Sequence, residues 1–144
     1  MNGGRSDKGQ VSKKVLEDVK VNVRIMLAAF WTSQFLLWTF GDMVSLLQKL
    51  DDPISNNLLA FVAAPLALIQ AGMIIFSLTG PAKFVRWANI CITPVFILFN
   101  IGFLLEAKFG WEIILGVGYL MVNVLIMAYA WKWPRIDDEK AGGI

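Results

Sequence analysis

The sequence predicts an all-α membrane protein built as a four-helix transmembrane up-down bundle, and three observations predict it. Apolar residues make up 57% of the 144 positions, with a mean hydropathy of +0.62; soluble domains hold ~45–50%. Charged residues are 17% where ~25% is usual, and they cluster, leaving long gaps that hold at most one charge. Four of those gaps reach the ~20 residues a helix needs to cross ~30 Å of hydrocarbon. The gaps lack the two-residue alternation of a transmembrane barrel, the other spanning solution.

Residues 1–20 form an arm on the cytoplasmic side of the bundle. Its first ten residues are rich in glycine and polar side chains and read as disordered. Val11, Val15, Val19 and Val23 recur every four residues. That spacing suits a short amphipathic helix lying on the membrane surface, or a solvated lead-in to the first span, and both readings stay open.

The transmembrane domain covers 21–133. The first span runs from about residue 24 to 48 and ends in Leu50-Asp51-Asp52-Pro53. It is longer than the ~7–15-residue core of a signal peptide and is not followed by an Ala-x-Ala site, so it is expected to be retained. The second span covers about 57–79 and stops at Thr79-Gly80-Pro81, glycine and proline being helix stop signals. The third covers about 84–105. Ala107-Lys108-Phe109-Gly110 then leads to the fourth, about 112–131. Glu106 and Glu112 flank this connection and read as solvated charges. Links this short make sequential helices antiparallel neighbours. Residues 134–144 are a tail.

Lysine and arginine bias sets the orientation. Arg5, Lys8, Lys13, Lys14, Lys20 and Arg24 precede the first span. Lys83 and Arg86 sit by the second connection, and Lys132, Arg135 and Lys140 follow the fourth span. The opposite connections hold only Lys49 and Lys108. Both termini are therefore expected to be cytoplasmic. Trp87, Trp131 and Trp133 fall at the inner boundary and Trp111 at the outer one, as an aromatic belt requires. Arg86 reads as a lipid-phosphate and topology anchor, together with Trp87, Trp131 and Trp133.

At ~100° per residue, each span gathers its polar residues on one face. The first carries Trp31, Gln34, Trp38, Asp42 and Ser45. The second carries Gln70 and Ser77, with Ala63 and Ala67 beside them. The third carries Arg86, Asn89, Thr93 and Asn100, and the fourth Glu112, Gly116, Tyr119 and Asn123. Lipid rejects such faces, so they are expected to point inward. The candidate interior or binding residues are Asp42, Gln70, Asn89, Asn100, Tyr119 and Asn123. Pro94 is expected to turn Asn100 relative to Arg86, and Pro65 to bend the second span. Asp42 lies in the outer half with no lysine or arginine at its depth. It is expected either to accept a hydrogen bond from Asn100 or Tyr119, or to be a wetted carboxylate at the outer interface.

Other chemistry is poorly provided for. The chain has no histidine and a single cysteine, Cys91, so neither a metal site nor an internal disulfide is expected. It has no Gly-x-Ser-x-Gly elbow and no phosphate loop; no enzymatic activity and no cofactor are expected. A net charge of +2 is too small to suggest nucleic acid.

Several runs carry a resemblance. They are Val21-Asn22-Val23-Arg24, Phe30-Trp31-Thr32-Ser33, Phe40-Gly41-Asp42, Arg86-Trp87-Ala88-Asn89-Ile90 and Tyr129-Ala130-Trp131-Lys132-Trp133-Pro134. In this order the chain resembles, over about residues 19–135, a family of short four-pass bacterial membrane proteins of unknown function. That family also places an aromatic before Gly-Asp, and its members often have a longer first outer connection than this chain. The resemblance implies four spans in a bacterial inner membrane, and it supplies no activity. Two expectations for function follow from the residues. One is a small-solute or ion and proton transporter acting as a homo-oligomer, with Asp42, Gln70, Asn100 and Tyr119 lining its path. The other is a non-enzymatic structural or accessory subunit whose partners are the lipid bilayer and a neighbouring protein.

Overall fold

The computed structural model describes residues 21–48 and 55–133. Four helices long and apolar enough to cross a membrane account for most of them: Val23–Gln48, Leu59–Thr79, Ala82–Glu106 and Gly110–Trp131, hereafter the first to fourth spans. No strand occurs among the described residues. The arm with its valine spacing up to residue 20, the Leu50-Asp51-Asp52-Pro53 connection and the 134–144 tail lie outside the described residues.

Two details differ from the sequence reading. The fourth span starts at Gly110, and Glu112 is not merely a solvated charge. Its carboxylate accepts the backbone N–H groups of Lys108 at 2.6 Å and Phe109 at 3.0 Å, donors that sit at the helix entry and lack intrahelical partners. Pro65 acts ahead of itself. A short α-turn, Asn56–Leu58, passes into a π-turn, Leu59–Ala63, before the α-helix resumes at Ala64–Thr79. Proline clashes with the carbonyl four residues earlier. The wider π-turn, with the Ala64 N–H reaching Leu59 O, relieves that clash. Pro94 lies inside an unbroken third span, and Asn89, Thr93 and Asn100 are buried on either side of it.

The buried and half-buried positions follow a finer rule than a 100° wheel. They run Leu27, Trp31, Gln34, Trp38, Gly41, Ser45 in the first span and Leu66, Gln70, Met73, Ser77, Gly80 in and just beyond the second. In the third they run Asn89, Thr93, Phe96, Asn100, Phe103, and in the fourth Gly116, Tyr119, Asn123, Ile126, Ala130. Steps of four and three alternate, which is the 3.5-residue period of left-handed helix bundles. The outward faces carry exposed Leu36, Phe61, Leu68, Leu98, Leu105 and Ile114, suited to lipid. The hydroxyls of Thr32, Ser33, Thr39 and Thr79 donate to the carbonyl four residues earlier at 2.8–2.9 Å. They therefore ask nothing of the surrounding hydrocarbon.

The first span packs against the second and the fourth, and the fourth against the third. The second and third spans, although joined by Gly80-Pro81, make little contact along their length. In cross-section the bundle is a ring opened at one seam. Its dry core, formed by Leu27, Trp31, Met73, Val85, Phe96, Ile126 and Ala130, lies toward the end that carries Arg24 and Arg86. Two arginines bind that basic end. Arg24 donates to Gly80 O at 2.6 Å and Leu78 O at 3.4 Å, closing off the end of the second span, and its guanidinium lies 5.8 Å from the Trp133 ring centre. Arg86 donates to Ala130 O at 3.2 Å and Trp131 O at 3.4 Å, closing off the end of the fourth. Carbonyls at a helix C-terminus carry partial negative charge and attract cations. Arg86 is thus a cap on a neighbouring span, a role the reading as a lipid anchor did not contain. Trp133 is half-buried near Arg24, whereas Trp87 and Trp131 are exposed.

Candidate functional site

The half of the bundle remote from the arginines is not filled. A cavity of about 210 Å³ lies there, bordered by all four spans. The first span contributes Trp38, Gly41, Asp42 and Ser45, and the second Val62, Ala63 and Gln70. The third contributes Phe99, Asn100 and Phe103, and the fourth Tyr119. The open seam explains the space: where the second and third spans fail to pack, side chains from opposite walls face a gap.

Asp42, Gln70, Asn100 and Tyr119 all border this cavity. Gln70 and Asn100 are each 1% exposed. Gln70 Oε1 and both polar atoms of the Asn100 amide have no hydrogen-bond partner among the described residues. A buried amide left unpaired costs ~1–3 kcal/mol, so these atoms are primed to accept or donate to whatever enters. Tyr119 is buried, and its hydroxyl donates to Leu37 O at 3.2 Å.

Asp42 does not sit in the buried stripe and accepts no hydrogen bond from Asn100 or Tyr119; it is an exposed residue at the cavity rim. The reason is the period. A 3.5-residue seam drifts ~20° per heptad from a straight helix. Two heptads beyond Leu27 it has passed to Gly41, leaving Asp42 on the edge. This is closer to the wetted-carboxylate expectation than to the hydrogen-bonded one.

Asn89 and Asn123 are fully buried but stand apart from the cavity lining. Asn89 accepts the Trp31 indole N–H at 2.7 Å and donates to Val85 O at 2.8 Å. Asn123 donates to Tyr119 O at 2.9 Å. Asn89 thus uses both amide atoms within the packing, whereas Asn123 Oδ1 is buried without a partner among the described residues. Beside Asn89, Trp31 meets Phe96 edge to face at 5.3 Å between ring centres, and this pair blocks the bundle between the cavity and the basic end.

Three contributors were absent from the sequence-derived candidates. Trp38 forms the aromatic wall, 5.2 Å from Phe99 and 6.1 Å from Tyr119. Gly41 lets the Tyr119 hydroxyl approach the first span. Gln34, fully buried, leaves both amide atoms unpaired beneath the cavity. Gln34 and Trp38 were already on the face expected to point inward, and the spacing Gln34, Trp38, Gly41, Ser45 is the signal that would have added Gly41, because it holds the seam period without a break.

Among the described residues no group of three or more histidine, cysteine, aspartate or glutamate side chains could hold a metal ion. What the arrangement offers is recognition: a carboxylate at the mouth, unpaired amides deeper, and an aromatic wall. Comparison with known protein families, with curated proteins and with solved structures finds no match for this chain.

Proposed function

We propose that the protein is a non-enzymatic multi-pass protein of a bacterial inner membrane, with both termini cytoplasmic, which takes up a small solute in its outer-half cavity and carries it as a homo-oligomer. The observation that carries this reading is the cavity itself, where Asp42, Gln70, Asn100 and Tyr119 from four different spans border one space. Intramembrane polar and ionisable residues around a cavity are the usual mark of a solute path. The lysine and arginine bias supports the orientation, and the family resemblance supports the bacterial membrane. A homo-oligomer is supported by the Trp31–Phe96 block, since one bundle alone offers no passage past it.

A second reading, an accessory subunit that only packs, is favoured by Asn89, which uses both amide atoms inside the bundle. One experiment separates the two. In a Cys91→Ala background, single cysteines at Ser45 and Ala63 in the cavity wall and at Leu98 on the outer face are treated with a membrane-impermeant maleimide on intact cells. Labelling of Ser45→Cys and Ala63→Cys from outside, with Leu98→Cys silent, is expected. Labelling only after the membrane is opened overturns the orientation, and no labelling at all overturns the water-accessible cavity. An accessible cavity in vesicles that accumulate no solute against an Asp42→Asn control assigns the accessory role.

A further inference from the structure

The chemistry of the cavity walls says more than that something small fits. Among the described residues no lysine or arginine borders the space, while one carboxylate, Asp42, does. Among the described residues Asp42 makes no ion pair, so its charge is free for a ligand. The same cavity is bordered by a continuous aromatic wall. Trp38 and Phe99 lie 5.2 Å apart at 34°, Trp38 and Tyr119 lie 6.1 Å apart, and Phe103 lies 5.7 Å from Tyr119. Ring faces carry negative potential and hold a cation within ~6 Å. Deeper in, Gln70 Oε1 and Asn100 Oδ1 are buried acceptors without donors among the described residues, and Asn100 Nδ2 and Trp38 Nε1 are buried donors without acceptors there.

The carboxylate and the aromatic rings favour a cation, while the orphan amide and indole groups ask only for a polar partner. An anion would meet Asp42 with no cationic side chain among the described residues of the lining to neutralise it. A bare divalent ion would lack its usual set of 6–8 oxygen ligands, because a single carboxylate and two amides are on offer. An apolar molecule would leave the buried amides unsatisfied. We infer that the cavity binds a small organic cation, a substituted ammonium, with its nitrogen held between Asp42 and the rings of Trp38, Phe99 and Tyr119. Gln70 and Asn100 accept from any N–H that the ligand carries, and the alkyl groups lie against Val62 and Phe103. This rests on the solute-binding reading above and specifies its substrate class.

The test uses three probes of similar size and different charge: tetramethylammonium, tert-butanol and pivalate. The full chain is placed in lipid nanodiscs and binding is followed by tryptophan fluorescence and by calorimetry. Tetramethylammonium is expected to saturate, with tert-butanol and pivalate at least ten-fold weaker. Asp42→Asn is expected to weaken the cation about ten-fold and leave tert-butanol unchanged. Trp38→Leu is expected to weaken the cation about five-fold, a size set by the usual strength of a cation–ring contact, and Trp38→Phe to restore most of it. Circular dichroism of each variant confirms that it is folded. If pivalate or tert-butanol binds as tightly as the cation, or if Asp42→Asn binds the cation unchanged, the organic-cation assignment is overturned while the cavity stands. If no probe binds although Ser45→Cys labels from outside, the assignment falls alone. If no probe binds and the cavity cysteines do not label, the solute-binding reading falls with it.

Discussion

The Tyr119 hydroxyl occupies the place where a side chain on Gly41 would begin: a Cβ built on Gly41 would lie 2.5 Å from Tyr119 Oη. The first and fourth spans meet there, and the same hydroxyl donates to Leu37 O at 3.2 Å, one turn away. Glycine is required at this point for close approach rather than for backbone freedom, since the helix runs through it unbroken.

Gly41→Ala is therefore expected to destabilise the bundle by about 1–3 kcal/mol, the usual cost of forcing extra volume into a packed site. Tyr119→Phe removes one hydrogen bond and is expected to cost about 0.5–1.5 kcal/mol. The two changes couple. Other atoms near the new Cβ are at 3.4 Å or more, so Gly41→Ala in a Tyr119→Phe background is expected to cost much less than in the wild type. Thermal unfolding of the four proteins in detergent measures the coupling, and strictly additive losses would contradict the contact.

Trp31 and Asn89 form the buried polar contact between the first and third spans, at 2.7 Å. Trp31→Phe is expected to leave Asn89 Oδ1 unpaired and to cost about 1–3 kcal/mol. Asn89→Leu is expected to leave the indole N–H unpaired at a similar cost. A double-mutant cycle on unfolding midpoints should give a favourable coupling between them; zero coupling would show that the contact does not contribute.

Arg86→Gln is expected to lower stability by about 0.3–2 kcal/mol, the range for a cation at a helix C-terminus. Arg86→Lys is expected to recover only part of this, because lysine lacks the planar fork that spans Ala130 O and Trp131 O. Arg24→Gln should behave in the same way at the end of the second span. A lysine variant as stable as the wild type would show that charge alone matters there.

Exposed hydroxyls make the opposite case. Thr32, Ser33 and Thr39 already donate to their own helix. Replacing each with alanine is expected to change stability by less than about 0.5 kcal/mol, as for surface positions free of special contacts. A larger loss in the same unfolding assay would mean that these residues face another protein rather than lipid.

The spans were legible in the sequence because bilayer thickness sets their length and leaves few alternatives. The inward direction of Gln70, Asn89, Asn100, Tyr119 and Asn123 was legible for the same reason, since hydrocarbon rejects amides. Asp42 was misplaced by a small error in period that accumulates along a helix of 26 residues. The role of Arg86 was hidden because it depends on the height at which the fourth span ends beside it, which no local pattern encodes. Gly41 was overlooked because a glycine becomes informative only when its opposite neighbour is known. The poor contact between the second and third spans could not be read either, since a short Gly80-Pro81 link suggests close packing.

That loose contact has a mechanical meaning. The well-packed pairs join in the order second, first, fourth, third, so the molecule is a spring clip with its two free arms facing each other. Spreading or closing the arms breaks no tight helix pair. At the basic end the two arms are joined by the short Gly80-Pro81 link, so they are held together there and least constrained at the cavity end. There the second span contains the π-turn, with Val62 and Ala63 at the cavity wall. The width of the mouth is therefore the dimension of the bundle that helix packing constrains least.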